Sequence, residues 1–195
     1  MKLFGGLEAR PRVAVSGALR LARILPIIKV LRTPFAGDLD AVIAGCVKAG
    51  DPGVNAAVES LRAWRSELDP SNDIWLPNYY RATALAVGLL IAAPEALEPN
   101  EQFDKINANV GNFWNCCDHI VHKAGGFQSP ELRSIKSTLH GVENQWFDGD
   151  VELLTHSTDP QGVLRERLLK ISEKVDMRRA VAMEFVKCAR WNDFM

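Results

Sequence analysis

Asp118, His119 and His122 are the residues of this chain whose types and spacing come nearest to a chemistry. On a helix Asp118 and His122 stand at i and i+4, with His119 one turn before His122. Two or three such side chains can meet one metal ion, which would make the chain a metal-dependent helical enzyme. Metal sites of this kind draw ligands from more than one element, and a second ligand-bearing helix is missing from the sequence. There is no ExxH or HExxH pattern, and His140 and His156 are isolated. A solvated polar face is the plainer reading, because Asp104, Asn107, Asn112 and Asn115 share that side of the helix. Cys116 lies near the edge of the same face; as a nucleophile beside His119 or His122 it would need a lowered pKa and a third, orienting group.

Other chemistries fall on spacing. Asp148-Gly149-Asp150-Val151-Glu152 places acids at positions 1, 3 and 5 of a calcium loop, but Leu153 and Asp159 stand where Gly and Glu are required. No P-loop, dinucleotide-binding glycine pattern or GxSxG elbow is present, and no cofactor is expected.

The elements that would position these residues are helices throughout. Phe103, Ile106, Val110, Phe113, Cys117, Ile120, Val121 and Ala124 form one continuous apolar face, stopped by Gly125-Gly126. Leu39, Val42, Ile43, Cys46 and Val47, then Val54, Ala57, Val58, Leu61, Trp64 and Leu68, make two further faces that read as an αα-hairpin. Pro77 opens a helix running to Ala93-Pro94 that is apolar nearly all round and is expected at the centre. Ser129-Pro130 and Asp159-Pro160 each give an N-cap followed by proline. The first opens a helix with Leu132, Ile135, Leu139 and Val142 inward, and Asp148-Gly149-Asp150 is expected to be a loop. Asp176 caps a last helix holding Met177, Val181, Phe185 and Cys188. No alternating strand pattern occurs, so the fold class is all-α, a globular bundle of about eight or nine helices.

Charge divides the chain. The whole has 195 residues and a formal charge of -1, with 47% hydrophobic and 24% charged residues, which excludes intrinsic disorder. Residues 1–37 hold seven bases and one acid, and the remainder holds sixteen bases and 23 acids. The expectation is a basic amphipathic arm over 1–37 on an acidic helical domain over 38–195. In that arm Arg12, Ser16, Arg20 and Arg23 recur at four, four and three residues, a narrow stripe on an apolar cylinder, and Pro26 should kink or end the helix.

These features favour a non-catalytic interaction or assembly protein, a subunit or adaptor. Its arm (Arg10, Arg12, Arg20, Arg23, Lys29, Arg32) would dock on an acidic protein partner or a second copy, with Trp75 and Trp191 as aromatic contacts. Peripheral attachment to an anionic membrane is the other use of such an arm. Nucleic acid fits less well, since the arm is too apolar and has only Phe4 and Phe35 as rings. Cys46, Cys116, Cys117 and Cys188 show no CxxC spacing and read as reduced, hence an intracellular compartment. The cytoplasm is expected, with the mitochondrial matrix as the alternative on the arm's transit-peptide-like composition.

Overall fold

In the computed structural model, residues 9–47, 52–68, 77–92, 97–133 and 138–189 are described. They form nine helical segments and no strand: α1 (Ala9–Val30), α2 (Ala36–Val47), α3 (Pro52–Glu67), α4 (Pro77–Ala92), α5 (Pro99–Lys123), α6 (Pro130–Arg133), α7 (Leu139–His156), α8 (Pro160–Glu173) and α9 (Val175–Cys188). The all-α class follows the apolar periodicity of the sequence. Among the described residues, no helix is long and apolar enough to cross a membrane.

The centre of the bundle is α1, not α4. Val13, Val15, Ala18, Leu19, Leu21, Ile24, Ile27 and Ile28 are all buried, and together they cover every side of the α1 cylinder. The helix is accordingly in contact with α2, α4, α5, α7, α8 and α9. A helix with so narrow a polar stripe has no face to leave in water, so residues 9–30 are built into the core rather than set apart as an arm. Pro11 stands in the first turn, where the missing N–H has no helical partner in any case. Pro26 costs one hydrogen bond, yet α1 continues past it to Val30 because burial on both sides outweighs that loss. Two residues after α1 ends, Arg32, with a φ of 50°, turns the chain towards α2.

Close helix approach is set by small residues. A methyl group on Gly88 would lie 2.6 Å from Leu39 Cδ2, and one on Gly45 would overlap Val54, so α2 packs tightly on α4 and α3. Tyr80, Phe113 and Phe185 join α4, α5 and α9, with Tyr80 edge-on to the other two at centroid distances of 5.1 and 5.5 Å. Gly125 and Gly126 end α5 at φ values of 80° and 89°, as their type allows.

The region from Ser129 to His156 differs from expectation. The proline-opened helix, α6, is described as far as Arg133, with Ile135 outside the described residues, and a new helix begins at Leu139, capped by Thr138, whose hydroxyl accepts from Gly141 N at 3.0 Å. That helix, α7, runs unbroken through Asp148-Gly149-Asp150. Three residues that read as a solvent loop are helical because Asp150, 1% exposed, is an internal ion-pair partner. Asp159 caps α8 as expected, accepting from Gly162 N at 2.9 Å. Asp176 lies within the first turn of α9, whose cap position is Lys174.

Candidate functional site

The stripe of α1 faces inward on a buried ionic cluster. Arg23, 3% exposed, gives one guanidinium nitrogen to Glu143 Oε1 at 3.2 Å and the other to Asp150 Oδ2. Arg20 Nε lies 3.5 Å from Glu143 Oε1, and its NH1 donates to Asn107 Oδ1 at 2.7 Å. Arg20 also lies over the Phe147 ring, 4.2 Å from its centroid. Arg167 reaches the second oxygen of Asp150 at 3.0 Å. The Trp146 ring has Arg23, Lys174 and Arg178 within 5.7 Å of its centroid. Burial pulls the Arg20 guanidinium down to about 10, with Glu143 opposing, so it stays charged at neutral pH. Burial also raises Glu143, because desolvation outweighs the attraction of Arg23 and Arg20.

Arg10 donates to the Leu97 carbonyl at 3.1 Å. Arg12 binds the carbonyls of Leu154, Thr155 (3.0 Å) and Ser157 (3.0 Å), placing a cation at the negative end of the α7 dipole. Arg10, Arg12, Arg20 and Arg23 are thus joined to the chain's own body. Lys29 and Arg32 remain exposed at the far end of α1. Trp75 and Trp191 lie outside the described residues.

Lys29 and Arg32 stand on the rim of a groove of about 1010 Å³ between α1, α2, α8 and α9. Its floor includes Ala22, Leu25, Ile43, Ile171 and Val186. The rim adds Arg178, Arg179 and Lys187 from α9, and its one acid among the described residues, Asp40, is 2.7 Å from Lys29 Nζ. Arg32, Arg179 and Lys187 are exposed, so among the described residues five cations surround an apolar trough that carries a single carboxylate. The α9 contribution escaped a reading based on apolar positions alone. Its signal is Arg179, Met183 and Lys187 at i, i+4 and i+8, a basic line along one side of the helix.

The carboxylate of Asp118 is occupied elsewhere: its two oxygens accept from Leu139 N (2.6 Å) and His140 N (2.9 Å), capping α7. His119 and His122 are exposed on α5. No group of three or more His, Cys, Asp or Glu side chains able to hold a metal ion occurs among the described residues. Cys116 Sγ is 3.8 Å from the Tyr79 hydroxyl, whose own pKa burial and this contact push up to about 12. Cys117 is fully buried, and burial raises its thiol well above the usual value. No known protein family, curated protein or solved structure matches the chain.

Proposed function

We propose that this chain is a non-catalytic helical binding protein, a subunit or adaptor, whose groove between α1, α2, α8 and α9 receives an acidic amphipathic segment of a partner protein. The observation that carries this reading is the groove itself: an apolar floor rimmed by Lys29, Arg32, Arg178, Arg179 and Lys187, with Asp40 already engaged by Lys29. An amphipathic helix laid in such a trough buries its apolar face against the floor and sets its acids against the rim. Exposed ion pairs are each worth about 1 kcal/mol or less, so the floor supplies affinity and the rim selects sign and speeds encounter. The acidic partner inferred from the basic N-terminal segment is kept, but the cations that meet it are Lys29, Arg32 and those of α9.

Two fluorescein-labelled helical peptides test this, identical in their Leu positions and carrying Glu or Lys on the polar face. By anisotropy, the Glu peptide should bind the full chain and weaken as salt rises. The double variant Arg179→Glu/Lys187→Glu should lose that binding while keeping its helical circular dichroism. Equal binding of both peptides, or an unaffected double variant, would overturn the reading. Flotation of the chain with phosphatidylserine vesicles but not phosphatidylcholine ones, without peptide binding, would replace it with membrane attachment.

A further inference from the structure

Behind Arg178, on the other side of α9 from the groove, lies a second, smaller cavity of about 200 Å³. Its apolar wall includes Trp114, Val142, Trp146 and Val181, and Met177, exposed, stands at its mouth. Its polar wall is made of Arg23, Glu143 and Arg178. Three N–H groups of lining residues, Trp114 Nε1, Arg23 Nε and Arg178 Nε, are buried without a hydrogen-bond acceptor among the described residues. Trp114 and Arg23 are more than nine-tenths buried, so water is a poor substitute partner for either. The Glu143 carboxylate is already engaged by Arg20 and Arg23. Around this wall four guanidiniums, Arg20, Arg23, Arg167 and Arg178, face two buried carboxylates, Glu143 and Asp150. Positive charge exceeds buried negative charge here, and the three N–H groups of the lining lack acceptors; the buried Asp150 Oδ1, also without a hydrogen bond, does not line the cavity.

We propose that this cavity is a binding site for a small organic carboxylate with an aromatic or branched apolar body. The carboxylate supplies the missing acceptors and charge, with Arg178 as its main cationic contact, and the body lies between Trp114, Trp146 and Val181. Size limits the ligand: an apolar cavity of about 150 Å³ holds benzene, so this one takes a ring plus a short acid-bearing arm. Inorganic phosphate would bring charge against that surplus but would leave the apolar wall bare. Arg178 and Pro26 line both sites, but Val181, Trp114 and Trp146 line only the cavity, so the two readings can be tested apart.

The probes are 3-phenylpropionate and its neutral counterpart 3-phenylpropanamide, titrated into the full-length chain by calorimetry and by tryptophan fluorescence. The acid should bind at least about tenfold more tightly than the amide, the ratio that a charge-assisted hydrogen bond carries. Arg178→Gln should remove that preference. Val181→Trp, which fills the cavity and leaves the groove rim intact, should abolish binding of both probes while the acidic peptide still binds. Equal affinity for acid and amide, or undiminished binding to Arg178→Gln, overturns the proposal even if Val181→Trp does not fold.

Discussion

Arg23 and Lys29 lie six residues apart on α1 and each forms a salt bridge, but in different media. Arg23 holds Glu143 and Asp150 where both partners are almost wholly out of water. Lys29 holds Asp40 at 2.7 Å with about half of each side chain exposed. In the interior the attraction is set against desolvation, so the pair as a whole adds little, while removing one member strands the others. Arg23→Met is therefore expected to lower unfolding free energy by about 3–5 kcal/mol, because Glu143 and Asp150 lose the buried cation they share and keep only Arg20 and Arg167. Lys29→Met should cost about 1 kcal/mol or less. Urea unfolding of both variants decides; equal losses would mean that the cluster is as wet as the surface. The stripe formed by Arg20 and Arg23 is visible in the sequence, but its inward orientation is not. The carboxylates that neutralise it are 120 and 127 residues away, beyond any local pattern. Asp118 is similar: its i, i+4 partner is legible, whereas its engagement by two backbone N–H groups of α7 depends on how α5 and α7 meet.

At the scale of the element, glycine carries opposite meanings in two helices. Gly149 lies inside α7, and a methyl group there would stand 3.4 Å from Arg167 NH2, an ordinary contact with the end of a flexible side chain. Gly149→Ala should raise stability by about 0.5–1 kcal/mol through helix propensity alone. Gly88 lies inside α4, where the same methyl group would meet Leu39 at 2.6 Å and Leu61 at 3.4 Å. Gly88→Ala should lower stability by about 1–3 kcal/mol by forcing α2 and α3 outward. Thermal melts of the two variants should shift in opposite directions; a shared direction would remove the account of α4 as a close-approach helix. These cases also mark what local sequence conveys. Asp159-Pro160 and Gly125-Gly126 are read correctly because caps and left-handed glycines act within a few residues. Asp148-Gly149-Asp150 is misread because turn-forming residue types yield to a buried ion pair.

At the scale of the molecule, the division at residue 37 drawn from charge separates a core helix from the helices around it. α1 contributes a large share of the buried apolar side chains and is in contact with six other helices. A fragment comprising residues 38–195 should therefore show no cooperative urea transition by circular dichroism, since its helices would surround an empty axis. A sharp transition close to that of the full chain would restore the arm as a separate unit. Helix content and most helix limits are local properties and were open to sequence reasoning. Which helix takes the centre depends on how many faces must be covered at once, and in sequence both α1 and α4 are apolar nearly all round. The groove requires four helices from both ends of the chain, so its cations lie in two separate sequence segments and gain a common purpose only after packing.

The central position of α1 has a consequence during synthesis. This helix is translated before the six helices that contact it, and Arg23 waits 120 residues for Glu143 and 127 for Asp150. At about 5–20 residues per second, that interval is about 6–24 s. Throughout it an apolar basic segment stands outside the ribosome without its neutralising partners. α1 cannot be enclosed as it emerges; made before the helices that contact it, it is among the last to be covered.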